Sequence, residues 1–337
     1  MKKEFDILHQ LPKNLNLLSY NEIQKAFPKP TLIHLEGKRK EPLFVSTCLH
    51  GNEDVGFETL KKLQIYLKSH LLPRSLSLFI GNVEAASLGL RRKDQQKDYN
   101  RIWCNDPSPE GLMATEITEI MKNKNVFASI DLHNNTGKNP LYACINKLDR
   151  PFLHLASLFS NNIVFFDNPN TCQSMAFASL CPSVTLECGQ TGNAYGPEKA
   201  FEFIVDVLHL ENLEPSEKSI HDLNIFQTLG RISVEGTQSI SFGDNLGEID
   251  FPHELELWNF KHVKANTLLA KTKSDKDLLF VRDECHIDIT SKYLRVEKRD
   301  GTQYFFLFFC VPAMLTSNLD IIHKDCLGYI MKTLSLN

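Results

Sequence analysis

The stretch CLHGNEDVGFETL, residues 48–60, sets His50 three residues before Glu53, at a point where an apolar run gives way to a helical pattern. Two further apolar runs close on polar residues of a similar kind. FASIDLH ends on His133, and SVTLE ends on Glu187. Two imidazoles and a carboxylate make a common catalytic zinc set, because zinc keeps a fourth position open for a water or a substrate oxygen. On this reading His50, Glu53 and His133 are the ligands, and Gly51 allows the tight turn that aims the first two at one ion. In a chain with twelve histidines the H-x-x-E spacing also arises by chance, as a surface histidine and a helix-capping glutamate. His133 is also compatible with a hydrogen-bonded core histidine.

Glu187 terminates an apolar strand, where a buried charge needs a reason. Beside an activated water it is a candidate general base that later returns the proton to a departing amine. An ion-paired or capping glutamate is the plain alternative. Asp131 shares a strand face with His133 and could orient an imidazole through its second nitrogen, or form a structural salt bridge. A fourth segment, LGLRRKDQQKDYNRIW, offers Asn100 and Arg101 to grip a substrate carboxylate and Arg91 or Arg92 to polarise a carbonyl. A solvated loop is the alternative there. Cys48 and Cys188 flank the candidate residues and admit a cysteine-nucleophile hydrolase, although Cys188 should point away from whatever Glu187 meets.

These residues need strands that end together. From Pro42 to about Val207 the runs LFVSTCL, LSLFIGNV, FASIDLH, NIVFFD and SVTLEC alternate with helical stretches, which implies an α/β domain with a parallel or mixed sheet. Ligands in such sheets bind beyond the carboxyl ends of the strands. The stretch EDVGFETLKKLQIYLKSHLL predicts a helix with Val55, Leu60, Leu63 and Leu67 near one face. After LENLEPSEKSIHD the character changes to short β-like segments with turn signals, including RDG. The expected division is a catalytic domain over 1–214 and a smaller β-rich domain over 215–337.

The chain has 337 residues, 42% of them hydrophobic, enough for one or two cores. A net charge of -4 without like-charge blocks gives no footprint for nucleic acid or an anionic membrane. The expected partner is a small molecule or short peptide, and a homo-oligomer is compatible with the sequence. The first residues lack the unbroken apolar stretch of a signal peptide, and the nine cysteines form no C-x-x-C pair or even framework. A cytoplasmic protein with reduced thiols is expected.

Taken together, HGNE, DYNRIW, DLHNNTG and LECG resemble the succinylglutamate desuccinylase and aspartoacylase family, with matching order and separations through about residue 205. The resemblance implies a three-layer α/β/α zinc carboxypeptidase-like catalytic domain with a mixed sheet, followed by a smaller mainly-β domain. It implies one zinc per chain held by His50, Glu53 and His133, with Glu187 activating water. Asn100 and Arg101 fall on the carboxylate-binding pair of a D-x-N-R motif that starts at Asp98. The family's carbonyl-polarising arginine usually lies seven residues before the asparagine, where this chain has Lys93. A one-residue insertion in KDQQK assigns that role to Arg92. Tyr99 and Trp103 also depart from the family's usual residues, so substrate identity does not carry over. The expected function is a zinc-dependent hydrolase of the amide bond in a small N-acyl amino acid or short peptide bearing a free carboxylate. The alternatives are a catalytically silent zinc-binding or interaction protein and the cysteine-nucleophile hydrolase.

Overall fold

A computed structural model describes residues 4–214, 222–283, 285–298 and 300–335. The boundary expected near residue 215 lies outside the described residues. The chain divides into two compact units, one of residues 1–134 with 141–223 and one of residues 135–140 with 224–337.

The first unit contains β1 (Asp6–Leu8), β2 (Thr31–Leu35), β3 (Arg39–Thr47), α1 (Val55–Tyr66), β4 (Arg74–Ile80), α2 (Val83–Ser87), α3 (Pro109–Asn123), β5 (Ala128–His133), β6 (Tyr142–Ile145), α4 (Arg150–Ser157), β7 (Asn162–Phe165), α5 (Gln173–Phe177), β8 (Ser183–Glu187) and α6 (Tyr195–His209). Its strands lie in the order β1-β2-β4-β3-β5-β8-β6-β7. The central ladders β4-β3, β3-β5 and β5-β8 are parallel, while β2-β4 and β6-β8 are antiparallel, so the sheet is mixed. Every residue of β4 and β5 is buried, as expected of strands covered on both faces. Phe44 of β3 and Phe79 of β4 pack with Met113 and Ile117 of α3 and Phe177 of α5 on one side. Helices α1 and α6 pack on each other, with α1 against β3 and β5. This is the three-layer α/β/α arrangement of the zinc carboxypeptidase-like fold. The short strands β2 and β6 were not singled out by the sequence reading.

The second unit contains β9 (Asn224–Val234), β10 (Ile240–Phe242), β11 (Ile249–Phe251), β12 (Leu268–Thr272), β13 (Leu279–Arg282), α7 (Thr290–Tyr293), β14 (Leu294–Lys298), β15 (Thr302–Phe306), β16 (Val311–Ala313), α8 (Leu319–Lys324) and β17 (Gly328–Leu334). Strand β9 pairs with β13 and β17, and a second sheet runs β10-β11-β12-β15-β14. Ile232, Phe251, Leu269, Tyr304 and Phe306 share its core. Strands β14 and β15 pair antiparallel down to Lys298 and Thr302, with Asp300 (φ 49°) and Gly301 (φ 103°) in the turn. Arg299, the first residue of the expected RDG turn, lies outside the described residues. Residues 135–140 join this unit because Asn139 Oδ1 accepts a 2.9 Å bond from Met314 N and Lys138 pairs with Glu256 at 3.2 Å.

Candidate metal centre

The site is built where β3, β5 and β8 end. Strand β3 stops at Thr47, and Cys48 turns the chain in the left-handed region (φ 54°). Asn82 N donates to the Cys48 carbonyl at 2.7 Å, and Gly51 N donates to the Arg91 carbonyl at 3.0 Å, so the HGNE loop lies against the segment that follows β4. Gly51 is required by close approach rather than by a positive φ. A Cβ there would lie 2.3 Å from Ala86 N and 2.5 Å from the Leu90 carbonyl oxygen. Helix α1 then begins at Val55.

His50, Glu53 and His133 are buried, and one ligand atom from each lies within 4.8 Å of the others. Glu53 bridges the two imidazoles: its Oε1 is 2.8 Å from His50 Nδ1 and its Oε2 is 2.8 Å from His133 Nδ1. The opposite ring nitrogens face two further carboxylates. His50 Nε2 is 3.2 Å from Asp98 Oδ1, and His133 Nε2 is 2.8 Å from Asp131 Oδ2. Asp131 is itself fixed, since Ser46 Oγ donates to its Oδ1 at 2.7 Å. Each ring thus has one nitrogen aimed at the shared carboxylate and one held by an outer carboxylate, the pattern that orients metal-binding histidines.

The electrostatics follow from this crowding. Burial opposes ionisation of Glu53, but His50 and His133 beside it hold its carboxyl well below the usual range. Burial likewise opposes the charge of Asp98 and is overcome by the hydrogen bond from His50. Burial disfavours a charged His133, yet Asp131 and Glu53 raise its pKa well above the ordinary value. Three carboxylates around two imidazoles are a donor set and a charge balance that suit a divalent cation.

Glu187 pairs in register with His133 across the β5-β8 ladder. Its Oε2 is closed off from solvent and has no hydrogen-bond partner among the described residues. Burial is the main reason its carboxyl is pushed up to about 8; Glu53 and Asp131 add to the rise, while His133 and Arg91 oppose it. Glu187 is thus half-buried with one carboxylate oxygen closed off beside the cluster, which makes it a candidate for proton exchange.

The fourth segment is brought in unevenly. Asn100 is buried; its Oδ1 accepts from Gln173 N at 3.0 Å and its Nδ2 lies 3.2 Å from His133 Nε2. Arg101 is exposed and donates to the Asn100 carbonyl at 2.7 Å. Arg92, the arginine expected to polarise a carbonyl, is also exposed and donates to the Gln96 carbonyl at 3.1 Å. Lys93 pairs with Glu84 at 2.5 Å. Arg91 is directed to the cluster, with its guanidinium 3.4 Å from Asp98 Oδ2, and Arg101 also acts electrostatically on Asp98. The Arg91 carbonyl is held by Gly51 N, which fixes this point of the segment against the HGNE loop.

Asn134 was not singled out from the sequence, although it follows His133 directly. Its N lies 3.3 Å from Glu53 Oε2, its Oδ1 accepts from Val55 N at 3.0 Å, and its Nδ2 donates to the Gly189 carbonyl at 2.9 Å. One side chain therefore ties together the start of α1 and the ends of β5 and β8. Gln173 was missed as well, because it sets Asn100 through its backbone N–H. The thiols of Cys48 and Cys188 are buried, and burial pushes that of Cys48 up to about 11.

No helix among the described residues is long and apolar enough to cross a membrane. The family profile described as the succinylglutamate desuccinylase/aspartoacylase catalytic domain matches residues 40–209. No curated protein matches the chain by sequence. Among solved structures, the succinylglutamate desuccinylase/aspartoacylase from Rhodobacter sphaeroides is similar with a TM-score of 0.62 at 12% identity, covering 90% of this chain and 89% of that one. Murine aminoacylase 3 has a TM-score of 0.58 at 14% identity, covering 89% and 97%. The succinylglutamate desuccinylase from Chromobacterium violaceum has a TM-score of 0.56 at 18% identity, covering 90% and 89%. At these identities the likeness establishes the fold, and the profile match spans half of the chain. The chain belongs to the succinylglutamate desuccinylase/aspartoacylase family.

Proposed function

We propose that the protein is a zinc-dependent hydrolase that cleaves the amide bond of a small N-acyl amino acid, or of a short peptide with a free carboxylate. The observation that carries this reading is the buried convergence of His50, Glu53 and His133 with the unpartnered Oε2 of Glu187 beside it. Family membership and the hydrolase names borne by its relatives support the reaction class.

His50, Glu53 and His133 would hold the zinc, which when bound supplies a Lewis acid and lowers the pKa of a water toward neutrality. The chain's own residues do the rest. Asp98 and Asp131 keep the imidazoles turned toward Glu53. Glu187 takes a proton from the attacking water and returns it to the leaving nitrogen, a role suited to a carboxyl whose affinity for a proton is raised by burial. Arg91, half-buried and directed at Asp98, is the cation nearest to stabilising oxyanion charge. Arg101 is exposed and donates to the Asn100 carbonyl, on the Asp98 side of the cluster, a placement that suits it to meet a substrate carboxylate. The buried thiols, with proton affinities raised by burial, argue against a cysteine nucleophile.

Glu187→Gln should keep zinc binding and lower kcat by about 10²- to 10⁴-fold. The assay is release of free amine from a panel of N-acyl amino acids and dipeptides by the zinc-loaded protein. An undiminished rate in the variant contradicts the assignment of Glu187. Stoichiometric zinc without turnover of any panel member contradicts the hydrolase reading and favours a silent metal protein.

A further inference from the structure

The residues before β2 lie outside the segment matched by the catalytic family profile, yet one of them reaches the candidate metal loop. Ser19 opens a short 3-10 helix, Tyr20–Lys25, with a capping box: its N donates to Glu22 Oε2 at 3.1 Å. Leu15, Ile23 and Phe27 are fully buried and anchor this strap. Farther along α1, Asn16 N donates to Gln64 Oε1 at 3.0 Å. The strap is therefore fixed before it meets the loop.

Tyr20 makes that meeting. Its ring packs on Phe57 with centroids 5.7 Å apart, and its hydroxyl donates to the backbone carbonyl of Glu53 at 2.7 Å. One phenol thus holds the peptide that carries Glu53, at the end of the 48–53 loop where α1 begins. Ligand loops tolerate little displacement, because metal–oxygen and metal–nitrogen distances are narrow and a site works only when its support holds it within about 0.5 Å.

We propose that Tyr20 is a positioning residue for the Glu53 ligand, supplied to the metal loop by the N-terminal strap. The inference rests on the zinc reading given above. Tyr20 touches neither metal nor substrate and acts through the Glu53 backbone. The phenol's role is to hold the loop in its ligating shape, so its loss should weaken metal affinity more than it weakens the fold.

The test compares zinc affinity of wild type, Tyr20→Phe and Gln24→Ala by competition with a chromophoric chelator, alongside thermal unfolding of each metal-free protein. Gln24 is the strap control: its Oε1 accepts from Ser87 Oγ on α2, so its truncation removes a strap contact and leaves the Tyr20 bond to Glu53 in place. Tyr20→Phe keeps the ring on Phe57 and should raise the zinc Kd about tenfold, the low end expected for a group one step removed from a ligand. Its unfolding temperature should stay close to wild type, and Gln24→Ala should leave the Kd unchanged. Tyr20→Leu reads out the same Kd should the phenylalanine variant not fold. A Kd within twofold of wild type in a folded Tyr20 variant overturns the proposal. A wild type that binds no zinc overturns the metal reading itself, which is a separate outcome.

Discussion

The ligand cluster and the segment 91–101 sit next to each other and are built in opposite ways. In the cluster each functional side chain is buried and held from two directions: Glu53 by two imidazoles, His50 by Glu53 and Asp98, His133 by Glu53 and Asp131. In the segment Arg92, Lys93 and Arg101 are exposed, and Arg92 and Arg101 spend their donors on nearby carbonyls. Strand ends leave a side chain few choices, because the pleat and the neighbouring strand decide which face it joins. A loop without regular structure decides residue by residue through its backbone contacts, and a shift of one position exchanges an inward arginine for an outward one.

That difference can be probed where it matters most, at the two adjacent arginines. Arg91→Ala should lower kcat/KM by about 100-fold, the order associated with loss of one charge-stabilising donor. Arg92→Ala should stay within about twofold of wild type, and steady-state kinetics on any substrate found by the amine-release panel compares them. The reverse ranking would favour Arg92, to which the family resemblance assigns the role.

A smaller effect reports on the buried side of the comparison. Glu187 binds its proton more tightly in the folded, metal-free protein than in the unfolded chain, its carboxyl being pushed up to about 8 by burial. Between the ordinary carboxyl range and pH 8 the unfolded chain therefore loses this proton first. Stability from the group is complete below the ordinary range and is lost as pH rises toward 8. Thermal unfolding of the metal-free protein between pH 5 and 8 should show wild type losing on the order of a few degrees relative to Glu187→Gln. Parallel curves for the two proteins would show that Glu187 is ordinarily ionised.

The same contrast explains what could be read from residues alone. Runs such as FASIDLH and SVTLE announced both a strand and the polar residue closing it, so β5 and β8 and the cluster they carry were accessible to periodicity. Strand β6 is only four residues long and β2 carries His34 among apolar residues, which weakens their pattern. Asn134 and Gln173 act through contacts with Gly189 and Asn100, far off in sequence, and no local spacing marks such residues. The assignment of residues 135–140 to the second unit has the same origin, since Asn139 finds its partner at Met314. Gly51 is expected from the sequence to allow a tight turn, whereas the structure requires glycine there through close approach to Ala86, a contact with no local sequence signal.

The central claim is that three buried side chains from two strand ends form one metal site. Titration of the metal-free protein with zinc, followed by calorimetry in wild type and Glu53→Ala, tests it most directly. The account predicts one zinc per chain in wild type and an affinity weakened by more than about 100-fold in the variant, a larger loss than removal of a supporting residue causes. Equal zinc binding by both proteins, or none by wild type, would contradict it.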